Sequence, residues 1–423
     1  MSTATSSKKK SPGRAALDGI RIIDLTTVIM GPYGTRILAD MGADVIKVES
    51  PEGDAFRRFG PQRNKGMGGS VLNLHRNKRS IVLDLKEDTA RKAFDRLLST
   101  ADVLVHNLRP QAAQRLSLDG SSLRQNYPDL IICAARGFGQ DGPYGHKAAY
   151  DDLIQAGSGF ATLNGELYGE PRYAPTAWCD KIAGQAIAYA VLGALFHRER
   201  GGGGQEVEVP MFETAIDFML VEHFGAGAFE PPMGRIGFPR QLSPQRKPYR
   251  TLDGWACILP YSDQNWRDFF NYTGHRELAD DPAFSDVAKR LENIDELYRL
   301  LEQQAAQRST AEWVAFCDSV SIPCMPVLGL DVLKDDPHVR AVELMELAEH
   351  PTEGSYRQIR SPIRFSAAPF ELRHHAPSTG QHTGEILREA GVSEEDLQLL
   401  LSPGYDEAAG SASRVAATAT LSE

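Results

Sequence analysis

From residue 17 onward, short apolar runs alternate with segments of helical period. Residues 19–26 read as a buried strand, and residues 32–41 as a helix with Pro32 in its first turn. Residues 44–49 are the next predicted strand. The same theme recurs in residues 80–85, a helix around 88–100, and apolar runs at 102–106 and 130–135. Strands separated by helical segments need crossover connections, which give a mostly parallel sheet covered on both faces. The fold class is therefore α/β, doubly wound.

A long helix is predicted over residues 181–200. There Ile182, Ala186, Tyr189, Ala190, Leu192, Gly193 and Leu195 form a broad small-and-apolar surface, suited to close approach by another backbone. Residues 205–210 alternate like a half-exposed strand. Residues 226–247 lose periodicity and are rich in Pro, Gly and Arg, so they read as a linker or active-site loop. Beyond them, residues 249–259 look like a hairpin strand. Acidic amphipathic helices follow from 265 to about 318, and residues 383–389 form a last helix after a Pro-rich connection. The expected division is a tail (1–16), a large domain (17–225), a linker (226–247), a smaller α+β domain (248–340), a return segment completing the large domain (341–402), and a second tail (403–423).

Composition narrows the classes. With 42% hydrophobic and 24% charged residues among 423, the chain is neither extensively disordered nor collagen-like. No run approaches the ~18 consecutive apolar residues of a membrane helix. A net charge of −10 argues against a nucleic-acid partner. The five cysteines (Cys133, Cys179, Cys257, Cys317 and Cys324) are odd in number and without a CxxC pair, which fits reduced thiols. The first fourteen residues carry lysines but no apolar stretch, so they are not a secretory signal. Both tails are expected to be disordered, and the protein cytoplasmic and soluble with no membrane partner.

The common motifs exclude more than they identify. The turn at Met30, Gly31, Pro32, Tyr33 and Gly34 lacks the GxGxxG spacing, and its proline removes a phosphate-facing N–H. Residues 201–204 are all glycine but lack a GK[ST] ending and follow a helix, so they read as a helix stop. HExxH and GxSxG are missing, and the eleven histidines show no metal-ligand spacing. No metal site is expected.

Longer phrases say more. Residues 17–25, the pair Gly31-Pro32 and residues 38–49 closely resemble the opening of the family III CoA-transferases. Residues 77–86, 101–107, 322–327 and 380–387 continue the match in order, over about residues 17–395. The resemblance implies a Rossmann-like CoA-binding large domain built from both chain ends, with a small domain inserted into it. It also implies an interlocked homodimer, CoA and acyl-CoA as substrates with no tightly bound cofactor, and a small carboxylic acid as the second substrate.

Site residues follow from the same resemblance. Asp180 falls at the family's catalytic aspartate. By spacing alone it reads as a helix N-cap, and the two readings are compatible because a helix N-terminus favours an ionised carboxylate. Val28, Leu83, Lys86, Asn107, Leu108, Arg115 and Lys147 stand at CoA-contact positions, with Lys86 and Arg115 the expected phosphate partners and Lys147 one position out of register. Ser50 replaces a phosphate-binding arginine of formyl-CoA transferases, and Ile29 replaces their glutamine, which implies a larger or more hydrophobic acyl group. Tyr150 and Asp151 occupy substrate positions. The family's racemase branch carries a histidine where Tyr150 stands, and a phenol with a pKa near ~10 shuttles protons poorly at neutral pH. CoA transfer from an acyl-CoA to a carboxylic acid is the expected function. The alternatives are a 2-acyl-CoA epimerase or a non-catalytic CoA-binding homologue.

Overall fold

The computed structural model describes residues 15–402; the expected tail at 403–423, and all but two residues of the one at 1–16, lie outside them. By contact, the described chain forms two units. One comprises residues 15–158, 175–215 and 342–402, the other residues 159–174 and 216–341.

The first unit is built on six strands: β1 (Arg21–Leu25), β2 (Asp44–Glu49), β3 (Lys78–Val82), β4 (Val103–His106), β5 (Ile131–Arg136) and β6 (Glu206–Pro210). All pair in parallel, in the order β3-β2-β1-β4-β5-β6. Register explains the two cores. Ile22, Val45, Val103 and Ile131 lie side by side and face Ile187 and Val191 of the Trp178–His197 helix. The next row, Ile23, Ile46, Leu104 and Ile132, faces the opposite way toward Phe94, Leu97, Ile386 and Leu397. Strands buried on both faces read as continuous apolar runs, which is why they were legible in the sequence.

Helix α1 (Met30–Asp40) starts two residues earlier than its pattern suggested and packs on the Trp178–His197 helix. Glycines set the distance. A Cβ on Gly34 would lie 2.6 Å from the Gly184 carbonyl oxygen, and one on Gly184 would lie 2.7 Å from that of Met30. By length and composition alone the stretch Trp178–Gly202 could cross a membrane, but half of its apolar window is buried inside the fold, as in a core helix.

Beneath β1 lies a buried polar cluster. Asp24 pairs with Lys78 Nζ at 2.9 Å and accepts from Thr35 Oγ1 at 2.6 Å; Lys78 also donates to the Pro32 carbonyl at 2.9 Å. Burial alone would raise the Asp24 carboxyl. Lys78, Lys47 and the two threonine hydroxyls outweigh it and hold the group well below the carboxylate range.

The second unit has a three-stranded antiparallel sheet of β7 (Tyr249–Arg250), β8 (Trp255–Ile258) and β9 (Cys324–Pro326). Its core is aromatic, with Trp266, Phe269, Phe270 and Trp313 buried together. Two of its helices begin with capping boxes, Ser262 with Asn265 and Ser309 with Glu312. Residues 159–174 and 216–247 group with this unit, where the Arg235–Glu166 ion pair at 2.6 Å ties the two segments together.

Two elements depart from the sequence pattern. The helix Thr383–Glu389 is not the last, because Glu394–Leu400 follows it, capped by Ser393, and buries Leu397 and Leu400 against the first unit's core. The return segment also contains an antiparallel hairpin, Met345–His350 with Gly354–Ile359. Its mixed polar pattern carries no clean alternation.

Candidate active site

In the strand order β3-β2-β1-β4-β5-β6 the chain reverses direction of growth between β1 and β4, and loops diverge there to leave a crevice at the strands' C-terminal ends. The loop after β1 spends three successive amides on three different side chains. Thr26 N–H donates to Asp24 Oδ1 at 3.0 Å, Thr27 N–H to Asn107 Oδ1 at 3.2 Å, and Val28 N–H to Asp54 Oδ1 at 3.1 Å. Asn107, just beyond β4, returns a bond from Nδ2 to the Thr27 carbonyl at 3.1 Å. The two strands that flank the crevice are thus braced across it.

A cavity of about 200 Å³ opens at this point. Thr27, Val28, Asn107, Leu108, Arg109, Arg136, Lys147, Tyr150, Asp180 and Met211 contribute to its walls. Three of these are cations. Arg136, the last residue of β5, is held by Glu208 Oε1 at 3.3 Å and donates to the Leu108 carbonyl at 3.1 Å. The Lys147 ammonium lies 3.9 Å from the Tyr144 ring centroid. His106, buried beside Arg136, is pushed down to about 4 by burial and by that guanidinium, so its imidazole is neutral.

Asp180 is the third residue of the Trp178–His197 helix; the N-cap is Ala177, which offers no side-chain bond. The expected N-cap role is therefore corrected. Asp151 supplies the missing acceptor, because its Oδ1 takes the Asp180 N–H at 3.0 Å. Asp151 is itself buried and begins a short helix, Asp151–Gly157, with its other oxygen bonded to Gln155 Nε2. Burial first, and the Asp151 charge second, push the Asp180 carboxyl up to about 7, with Lys181 opposing. A desolvated carboxylate poised near neutrality is a competent nucleophile or proton acceptor.

Of the residues singled out in the sequence, Val28, Asn107, Leu108, Lys147, Tyr150 and Asp180 meet at this cavity. The others lie elsewhere. Asp151 sits behind Asp180, and Ile29 is the half-buried N-cap of α1. Leu83 is 2% exposed in the second core cluster, while Lys86 and Arg115 are exposed and outside the cavity wall. Sequence reasoning missed Thr27, Arg109, Arg136 and Met211. Arg136 had a signal, since a cation directly ending a fully apolar run stands at the mouth of a buried strand. So did Lys47, a lysine in mid-strand, which pairs with the equally buried Asp54 at 3.1 Å.

Residues 17–383 match the sequence model of CoA-transferase family III. The succinate–glutarate CoA-transferase of Agrobacterium fabrum is 32% identical over 383 residues, covering 88% of this chain and 95% of that protein. The succinyl-CoA:mesaconate CoA-transferase of Haloarcula hispanica is 32% identical over 399 residues, covering 89% and 97%. The crystal structure of a CAIB/BAIF family protein from Brucella suis superposes with a TM-score of 0.76 at 30% identity, covering 89% of this chain and 100% of that one.

Proposed function

Because the chain belongs to CoA-transferase family III, we propose that it moves CoA from an acyl-CoA to a carboxylic acid through covalent intermediates on Asp180. The observation that carries this reading is Asp180 itself: a carboxylate on the wall of the switch-point cavity, partly desolvated and raised to about 7.

The steps are these. An Asp180 carboxylate oxygen attacks the acyl-CoA carbonyl carbon, the C–S bond breaks, and CoA leaves as thiolate from a mixed anhydride. The thiolate then attacks the aspartyl carbonyl, giving a β-aspartyl-CoA thioester and the donor's free carboxylate. The acceptor carboxylate attacks that thioester, forming a second anhydride and releasing the thiolate again. Attack of the thiolate on the acceptor's acyl carbon completes the new acyl-CoA and restores Asp180. No bond energy is lost to water as long as the anhydrides are shielded.

Neighbouring residues fit supporting roles. Arg109, Arg136 and Lys147 supply positive charge for the phosphates of CoA and for the carboxylate substrate. Val28, Asn107 and Leu108 contact CoA, the exposed Lys86 and Arg115 serve its more distant parts, Ile29 and Tyr150 border the acyl group, and Leu83, buried in the core, supports the wall from behind. Asp151 positions Asp180. The relatives named above act on succinate, glutarate and mesaconate; here Ile29 favours an acyl group with an apolar body. We also propose that the smaller unit is an inserted domain and that two chains interlock as a homodimer, which sedimentation at nanomolar concentration would test by the failure of a folded monomer to appear.

The deciding experiment is trapping. Incubation with succinyl-CoA and hydroxylamine should convert Asp180 to a hydroxamate, located by peptide mass spectrometry. A hydroxamate on another carboxylate, or none during measurable turnover, would overturn the assignment. A panel of acids in a CoA-exchange assay then ranks the acceptors.

A further inference from the structure

The loop after β1 is fixed by side chains outside the proposed chemistry. We propose that Asp54, anchored by its buried ion pair with Lys47, is a positioning residue that holds Val28 in a left-handed backbone conformation and so shapes the wall on which CoA binds. This rests on the reading of the cavity as the CoA site.

Val28 has φ +72°, in the left-handed region that a β-branched residue seldom occupies. Such a conformation persists only where surrounding contacts over-determine it. Here the contacts are specific. The Val28 N–H donates to Asp54 Oδ1 at 3.1 Å and Oδ2 at 3.3 Å. Oδ1 also takes the Phe56 N–H at 2.9 Å, while Oδ2 lies 3.1 Å from Lys47 Nζ. Lys47 in turn donates to the Thr26 carbonyl at 2.7 Å, two residues before Val28. Asp54 is 1% exposed and Lys47 fully buried, so neither can be replaced by water without rearrangement.

Asp54 is itself held in place. Its N–H donates to Glu49 Oε2 at 3.0 Å, and Glu49 is clamped by Arg57 through two bonds of 2.7 Å. The chain of contacts thus runs from Arg57 through Glu49 and Asp54 to the backbone amide of Val28, a residue that lines the cavity. A carboxylate suits this post better than an amide. Asp54 must face two backbone N–H donors and an ammonium at once, and the NH₂ of an asparagine would oppose one of them. With the ammonium claiming the single amide oxygen, the Val28 N–H loses its acceptor and the loop is free to relax to negative φ.

The test uses glycine, which adopts positive φ without strain. Calorimetric Kd values for coenzyme A are measured for the wild type, Asp54→Asn, Val28→Gly and the double variant, each checked for folding by circular dichroism. Asp54→Asn should weaken CoA about tenfold when Val28 is present, and no more than about threefold in the chain already carrying Val28→Gly. Equal losses in both backgrounds would overturn the proposal, because Asp54 would then affect CoA binding by a route that does not pass through the Val28 backbone. If Asp54→Asn does not fold, Asp54→Ser, smaller and still able to accept one bond, goes through the same pair of backgrounds with the same two outcomes. Failure of the underlying site reading looks different: CoA would bind all four proteins alike.

Discussion

Asp151 accepts the backbone N–H of Asp180 at 3.0 Å, so one buried carboxylate caps the first turn of the helix that presents another. Two consequences oppose each other. The hydrogen bond and the helix N-terminus fix where Asp180 stands, while the charge on Asp151 makes ionising it harder. The pair therefore sets both the geometry and the working pH of the proposed nucleophile.

Asp151→Asn separates the two effects. The amide oxygen can still take the Asp180 N–H, so the helix start survives, but the charge is gone. Asp180 must be ionised to attack, so kcat/KM of the wild type should rise with pH and level off above about 7. In the variant that acid limb should move to lower pH, as Asp180 falls toward an ordinary carboxylate. A pH–rate profile with an unmoved limb would mean that burial alone sets the value.

Asn107 offers a test of the brace across the switch point. It gives one bond to the Thr27 carbonyl and takes one from the Thr27 N–H. Asn107→Asp keeps the acceptor but turns a carboxylate oxygen toward the Thr27 carbonyl. Losing the donor and adding that repulsion should cost about 1–3 kcal/mol in urea unfolding and weaken CoA binding, measured calorimetrically. Retained affinity would place CoA away from this loop.

Much of the larger unit was legible because its strands are buried on both faces. The run at 44–49 carries its own boundaries, whereas the small-residue surface expected on the Trp178–His197 helix matches the packed face only in part: Ala186 and Leu195 are buried, Tyr189 and Gly193 are exposed, and the close contact falls at Gly184 instead. The helix Glu394–Leu400 escaped notice because seven residues with three leading acids show only two turns of pattern. The site divides in the same way. Asp180 and Asn107 stand in phrases that resemble a family and Val28 falls just beyond one, whereas Arg136 and Asp54 gain their meaning from partners far along the chain, at Glu208 and at the Val28 amide. Partner choice of that kind is a property of the folded sheet and leaves no local spacing to read.

Lys78→Met tests the cluster beneath β1. It removes the fully buried ion-pair partner of Asp24 and leaves Lys47 and the two threonine hydroxyls to offset its burial, which should cost about 3–5 kcal/mol at pH 7. The pH dependence follows from the sign. In the wild type, Asp24 is held below its unfolded value, so its contribution is present above about pH 4 and is lost as the medium becomes more acidic. Without Lys78 one of the forces opposing burial is gone and the Asp24 carboxyl should rise, so the variant should suffer most near neutrality and lose less ground by pH 5. Urea midpoints at both pH values check this.

Asp180→Asn makes the sharpest prediction because activity and stability should move in opposite directions. The amide is nearly isosteric, its backbone N–H still reaches Asp151, and CoA binding should survive. Its nitrogen lone pair is delocalised and cannot form an acyl anhydride, so CoA transfer should fall by roughly 10³-fold or more, about 4 kcal/mol of barrier. Stability is expected to rise. A carboxyl raised to about 7 in the native state, against its ordinary value of 3.8, is costly to hold ionised in the fold. The native state then binds the extra proton between those values, so the cost grows as pH rises through the window and is complete above it. Removing the carboxyl removes the cost, and the variant should gain roughly 1 kcal/mol or more at pH 8 and little at pH 4. Thermal melts at the two pH values, beside CoA-exchange rates and a calorimetric Kd for CoA, measure all three quantities. A variant that binds CoA normally and keeps more than about a tenth of the wild-type rate would leave Asp180 as a structural residue of the helix's first turn, and the covalent route would have to be abandoned.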